Sequence, residues 1–293
     1  MEKLKKIIIP VAGLGTRMLP ATKAIPKEML PIAGKPIIQH VVEEIRDAGF
    51  EEIVLVTHSS KSSIEDHFDT SFELEATLDK RIKRALLKEI KNISKLGVSI
   101  ESIRQGNAKG LGHAVLVAKK IIGKEPFAVL LPDMLLQDSD PTNNLALMKN
   151  NFDINNISSI LFSIAPKKDI SKYGIGKIKK VKNLEVLGKV ESIIEKPSLK
   201  KAPSNYYAVG RYIFSSDLMI YLEKVKPDKN NEIQLSDAID MYIKNQSQVL
   251  AFKAEGKVHD CGNRLGYSIA NLEYTKTDPE IGDAFKKYLK RNV

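Results

Sequence analysis

The sequence has one cysteine, Cys261, no tryptophan, and only nine Tyr and nine Phe among 293 residues. A single thiol excludes an intramolecular disulfide and a cysteine-cluster zinc site, and it fits a reducing compartment. The five histidines, His40, His58, His67, His113 and His259, show none of the helical or loop pairings that zinc sites use. The aromatic residues are scattered and do not gather near the basic ones, which argues against a stacking groove for single-stranded nucleic acid. No apolar run approaches the length of a membrane span. Near the start, Lys3-Leu4-Lys5-Lys6 passes into three isoleucines and Pro10, too short a run for a secretory signal. A cytoplasmic protein with neither membrane nor nucleic-acid partners is expected.

What is present suffices for a full core: 43% of the residues are hydrophobic, at a length that suits one large α/β domain or one domain with a small appendage. Lys and Arg total 46 against 36 acidic residues, and the formal charge of +10 favours anionic ligands. The clusters Lys80-Arg81-Lys83-Arg84 and Lys286-Lys287-Lys290-Arg291 have helical spacing and acidic or apolar neighbours, and read as solvated faces. No linker, repeat or low-complexity tract divides the chain.

Strands and helices alternate from the start, which predicts parallel pairing through crossover helices. Ile7-Ile8-Ile9 reads as a buried strand, and Ile38, Val41, Val42 and Ile45 as the stripe of a helix that starts after Pro36 and ends at Gly49. Ile53 to Val56 and Val98 to Ile103 read as strands. Between them, residues 73–92 read as a long charged helix, a candidate lid or subunit contact, with Leu74, Leu78, Ile82, Leu86 and Ile90 on one side. A helix over 112–122 precedes Phe127-Ala128-Val129-Leu130-Leu131, a run suited to the centre of a sheet covered on both faces. Over 158–194, longer strands and turn residues at Lys172-Tyr173-Gly174, Lys182-Asn183 and Leu187-Gly188 predict partly antiparallel pairing that closes over the open side of the first half. A further strand over 206–214 and helices near 216–225, 233–245 and 265–275 complete the expected order.

The strand at Ile7 runs into Val11-Ala12-Gly13-Leu14-Gly15-Thr16-Arg17-Met18, a glycine turn with a basic end. Gly13 and Gly15 allow positive φ and close approach of backbone N–H groups to an anion, and Arg17 adds a fork that holds phosphate. Met18 stands where the dinucleotide fingerprint needs a third glycine, and no Gly-Lys-Ser/Thr follows to make a P-loop. Asp133 follows the apolar strand at its carboxyl end, where open α/β sheets bind ligands. One such aspartate is enough for Mg²⁺, which keeps waters and substrate oxygens as its other ligands.

The run Gly13 to Pro20, with Lys23, Pro26, Lys27, Glu28 and Leu30-Pro31, resembles the signature of the sugar-1-phosphate nucleotidylyltransferases. The likeness continues through Thr57-His58-Ser59-Ser60-Lys61, Arg104-Gln105-Gly106, Lys109 to Ala114, Leu131-Pro132-Asp133, Glu195-Lys196-Pro197, Val209 to Tyr212, Asn231 to Ile239 and His259 to Asn263. The wording is closest to the bacterial branch that uses UTP and glucose 1-phosphate. Ser236 stands where a threonine is common, and 178–190 follows no strict pattern.

The resemblance implies a Rossmann-like α/β fold with a mostly parallel central sheet, helices on both faces and a smaller, partly antiparallel sugar-binding portion. It implies a single domain over 1–293, with a nucleotide-binding half to about 135 and a sugar-binding half beyond, and a homo-oligomer, dimer or tetramer. By the same resemblance Arg17, Lys27, Asp133 and Lys196 are the catalytic group. Arg17 and Lys27 meet the β and γ phosphates, and Lys23 is a solvated or secondary charge. Ala12, Gly13, Gly15, Thr16, Gln105 and Gly110 also hold the nucleotide, with the Gln105 amide pairing at once with O4 and N3–H of uracil. Gly174, Glu195, Lys196 and the Val209-Gly210 backbone hold the sugar phosphate, and Asp133 with Asp260 hold Mg²⁺. The implied reaction is uridylyl transfer. Thymidylyl, cytidylyl or guanylyl transfer is the rival within the class, and a non-catalytic sugar-nucleotide sensor the rival outside it. Retention of Arg17, Lys27, Asp133 and Lys196 together argues against the sensor.

Overall fold

The computed structural model describes residues 3–137, 143–181, 186–245 and 247–292. Strand β1 (Lys6–Pro10) leads through the glycine turn to a short hairpin, β2 (Pro31–Ile32) and β3 (Lys35–Pro36), and helix α1 (Ile37–Asp47). Ile37, Ile38, Val41, Val42 and Ile45 of α1 are all buried, as their spacing requires. The helix ends before Gly49, whose φ of +78° only glycine adopts freely. Strand β4 (Glu52–Thr57) and helix α2 (Ser62–Phe68) follow.

The expected helix over 73–92 is two helices, α3 (Phe72–Lys80) and α4 (Arg84–Ser94), with Ile82 between them at a left-handed φ of +55°. Lys80, Arg81, Lys83 and Arg84 would repel at i,i+3 and i,i+4 in one helix, and neither segment has a buried residue to hold them together. Strand β5 (Ser99–Arg104) returns to the sheet. The helix expected over 112–122 starts earlier and divides at Ala118 into α5 (Gly110–Val117) and α6 (Lys119–Ile122), before strand β6 (Phe127–Leu130).

The second half comprises β7 (Met134–Gln137), α7 (Asn144–Asn155), β8 (Ser158–Ile164), β9 (Gly174–Lys179), β10 (Gly188–Glu195) and β11 (Tyr206–Phe214). Then come α8 (Leu218–Leu222), α9 (Leu235–Lys244), β12 (Val249–Lys253), β13 (Lys257–Asp260), α10 (Arg264–Thr277) and α11 (Gly282–Asn292). The turn expected at Lys182-Asn183 lies outside the described residues.

Nine strands form one sheet in the order β5-β4-β1-β6-β11-β8-β12-β10-β9. The first four are parallel, with Ile8 beside Val54 on one flank and Val129 on the other. Strand β11 then pairs antiparallel with β6 and β8, β12 is parallel to β8, and β10 is antiparallel to both β12 and β9. Strand β9 also pairs antiparallel with the start of β11, Tyr207 opposite Ile175, so the antiparallel strands are joined to the first half's sheet through β11 and close on themselves through β9. Two buried clusters cover the two faces: α1 and α7 pack on Ile7 and Ile9, while α5, α8 and α9 pack on Ile8, Val54 and Val129. Strands β7 and β13 pair apart from this sheet as an antiparallel ribbon. Among the described residues no helix is long and apolar enough to cross a membrane.

Arg211 ties these parts together although it is fully buried. Its Nε donates to Glu44 Oε1 of α1 at 3.0 Å and its Nη2 to Glu44 Oε2, while Nη1 donates to the carbonyls of Met134 and Val209. Removing one partner of a buried pair strands the other charge, at about 3 to 5 kcal/mol. Arg211→Met is expected to lower unfolding stability by that amount, read from a urea titration. An unchanged midpoint would mean that Glu44 finds another partner.

Candidate active site

Because β5, β4, β1 and β6 are parallel, their carboxyl ends lie along one edge of the sheet. Backbone bonds carry the order past the strands, Val11 N–H to Val56 O at 2.8 Å and Gln105 N–H to Thr57 O at 2.9 Å. Residues 12–17, Gln105, Ala108, Gly110, Leu111 and residues 131–134 thus line one cavity of about 830 Å³. This is where an open α/β sheet binds ligands.

In the glycine turn, Gly15 has φ +64° and opens the short 3₁₀ turn Thr16–Met18 that carries Arg17. Thr22 Oγ donates to the Gly15 carbonyl at 2.8 Å and ties the loop back on itself. Gly13 departs from the expectation of positive φ, since it is absent from the left-handed positions. A side chain there would meet nothing within 4 Å, so what glycine leaves at this point is open space in the cavity wall.

Lys27 Nζ lies 2.6 Å from Asp133 Oδ2. Burial alone pulls the Lys27 ammonium down, but Asp133 and then Glu28 outweigh it and hold it above the usual lysine value. Burial likewise pushes Asp133 up, and Lys27 and Arg17 reverse that and hold its carboxyl below the usual range. The pair is therefore fully charged at neutral pH.

Asp260 arrives through the ribbon, in which it pairs with Met134, next to Asp133, and Cys261 N–H donates to the Asp133 carbonyl at 2.7 Å. Its Oδ1 accepts from Gly262 N–H at 2.9 Å and its Oδ2 from Tyr173 Oη at 3.0 Å. A Cβ at position 262 would lie 2.9 Å from Arg17 Nη2, 2.9 Å from Asp133 Oδ2 and 3.1 Å from Asp260 Oδ1. Two carboxylates and a guanidinium thus converge where only glycine leaves room. Such an all-oxygen donor pair suits Mg²⁺, whose other ligands are water and phosphate oxygens. Cys261 is sequestered beside them, its thiol pushed up to about 12 by burial and then by Asp133 and Asp260.

On the opposite wall, Glu195 ends β10 facing Gly174 across the strand pair. A Cβ at 174 would come within 3.1 Å of Glu195 Oε2, so this glycine makes room for the carboxylate. Lys196 leaves the strand at a left-handed φ of +43°, with its N–H bound to the Tyr173 carbonyl at 3.0 Å. Its side chain is more than half exposed, and Nζ lies 3.5 Å from Glu195 Oε1.

Ala12, Gly13, Gly15, Thr16, Arg17, Lys27, Gln105, Gly110, Asp133, Gly174, Glu195, Lys196 and Asp260 all line the cavity. Val209 and Gly210 do not. The register of β11 shifts there, Val209 is fully buried, and their carbonyls accept from Arg211 Nη1 and Leu131 N–H. Ala208 and Tyr212 form that wall instead, and Lys23 is exposed outside it. The contacts of Tyr173 and Gly262 are not foreseen from the sequence, although Tyr173 lies in an expected turn and Gly262 within the His259 to Asn263 motif. Nothing along the chain signals that a tyrosine and an aspartate 87 positions apart will meet.

The family model described as nucleotidyl transferase matches residues 6–277. The chain is 51% identical over 290 residues to the UTP--glucose-1-phosphate uridylyltransferase of Haemophilus ducreyi, an alignment that covers 97% of this chain and 98% of that protein. Among solved structures it is similar to the UTP-bound UGPase from Acinetobacter baumannii, with TM-score 0.90, 42% identity, and coverage of 99% of this chain and 100% of that one. It is also similar to a UDP-glucose pyrophosphorylase complexed with UDP-glucose, with TM-score 0.84, 39% identity, and coverage of 94% and 100%.

Gly262→Ala tests the convergence. A methyl group there displaces side-chain ends and no backbone, so the expected result is an unchanged melting temperature with at least tenfold weaker binding of nucleoside triphosphate by calorimetry. Full binding would show that Arg17, Asp133 and Asp260 need not meet at that point.

Proposed function

This chain belongs to the nucleotidyl transferase family, and from that premise we propose that it transfers a uridylyl group from UTP to α-D-glucose 1-phosphate, giving UDP-glucose and pyrophosphate. The observation that carries the proposal is the division of one cavity into two cationic ends: Arg17 and Lys27 at the glycine turn, and Lys196 at the end of β10. A phosphate oxygen of the sugar phosphate attacks the α-phosphorus in line, the bond to the β-phosphate oxygen breaks, and pyrophosphate leaves. Such chemistry needs positioning and charge stabilisation and no covalent participation by the protein. Arg17 and Lys27 stabilise the departing pyrophosphate, while Lys196 and Glu195 hold the attacking sugar phosphate. Asp133 and Asp260 would hold Mg²⁺, which when bound neutralises charge on the triphosphate.

The base end has a definite polarity. Gln105 is buried, and its Nε2 donates to the Gly110 carbonyl at 3.2 Å and faces His113 Nδ1 at 2.9 Å. A carbonyl only accepts, so the amide nitrogen is committed, and His113 Nδ1 must be an unprotonated acceptor. Burial and then Lys109 lower the His113 pKa, in keeping with a neutral ring. Gln105 therefore reads a base through Oε1 alone and not, as the sequence reading has it, through acceptor and donor at once. Uracil offers N3–H to that oxygen; cytosine offers a second acceptor. Thymine shares the uracil edge, so this contact does not separate UTP from dTTP.

Pyrophosphate release with glucose 1-phosphate is expected to be at least tenfold more efficient with UTP than with CTP, at about 1 to 3 kcal/mol for one unsatisfied buried group. Equal efficiency would refute the base reader, and no release with UTP would refute the function. The two anion sites separate by calorimetry. Lys196→Ala is expected to leave UTP affinity within about twofold. Arg17→Ala is expected to weaken it about 10- to 100-fold, the loss of one charge-assisted contact. Equal effects would merge the sites.

A further inference from the structure

Glu28 belongs to the quoted motif, yet it does not line the cavity and has no part in the mechanism above. Its side chain is 1% exposed, and Oε2 accepts from the buried Lys61 ammonium at 2.7 Å. The other oxygen, Oε1, is buried with no hydrogen-bond partner among the described residues. A buried carboxylate oxygen without a partner is costly, so an arrangement that retains one calls for a reason. Neutralising Lys61 accounts for Oε2 only. Oε1 faces Lys27, whose Nζ lies 4.0 Å away while it sits 2.6 Å from Asp133.

The arrangement gives Lys27 two carboxylate seats, one taken and one in reserve. A cation that binds Asp133 must compete with the ammonium already on Oδ2. If Lys27 had nowhere to go, that competition would place two positive centres on one carboxylate. We propose that Glu28, anchored through Oε2 by Lys61, is a positioning residue whose Oε1 receives the Lys27 ammonium when ligands claim Asp133, so that Lys27 stays charged and beside the triphosphate. Glu28 acts through Lys27 and touches no substrate. The proposal rests on Lys27 serving the nucleotide end of the cavity.

The test is a double-mutant cycle on UTP binding in the presence of Mg²⁺, read by calorimetry so that turnover is not needed. Glu28→Gln keeps the shape and an acceptor for Lys61 but removes the seat, and is expected to weaken binding about tenfold. In a Lys27→Met background the same substitution is expected to change binding less than twofold, because the residue it serves is gone. A similar loss in both backgrounds, or none in the first, would overturn the proposal. Should Glu28→Gln fail to fold around an unpaired Lys61, Glu28→Gln with Lys61→Met removes that unpaired charge, and the same cycle applies with the same expectation. Failure of the underlying reading shows separately, as native protein that binds UTP normally after Lys27→Met alone.

Discussion

The site is built around the ion pair of Lys27 and Asp133, two residues 106 positions apart in the chain. Asp133 projects beyond the end of β6, a strand buried on both faces, and a carboxylate in that setting would be driven toward its neutral form without a counter-charge. Lys27 supplies that charge, and in doing so fastens the loop after β1 to the rim of the sheet. Under the proposed function each partner matches a ligand group, the ammonium a phosphate and the carboxylate a divalent cation, and pairing the two with each other keeps both charged and in register.

Continuity of the sheet decides how the two ends of the cavity sit relative to one another. Strand β11 pairs with β6 on one side and with β8 on the other, so the walls that carry Asp133 and Lys196 belong to a single hydrogen-bonded framework. Tyr173 is the joint between them: its carbonyl accepts from Lys196 N–H, and its hydroxyl donates to Asp260. The ribbon of β7 and β13 then places Asp260 beside Asp133. An in-line displacement tolerates little error in the distance between attacking and leaving groups, and a framework of this kind limits that error.

Much of the fold was legible because burial on a regular element leaves a periodic trace. The isoleucines of β1, the stripe of α1 and the continuous apolar run of β6 all announce themselves, and so does the glycine turn that lines the cavity. Prediction fails where local signals compete or cancel. The charged stretch 73–92 has helical spacing but no core to join, and it divides at Ile82 where like charges crowd. A motif also does not reveal placement: at Val209 and Gly210 a shift in strand register turns one side chain into the core and gives both carbonyls to neighbours.

Composition, periodicity and motif order are one-dimensional properties, and they suffice for the fold class, the glycine turn and most of the named residues that line the cavity. Partnership is three-dimensional. That Lys27 meets Asp133, that Gly262 lies where three charged groups converge and that Tyr173 reaches Asp260 all follow from segments brought side by side by the sheet and by the ribbon of β7 and β13. No spacing along the chain encodes these contacts, because each joins segments whose separation is set by how the intervening chain packs. The residue types were written in the sequence; the direction each hydrogen bond runs, and which charge answers which, were decided by tertiary structure.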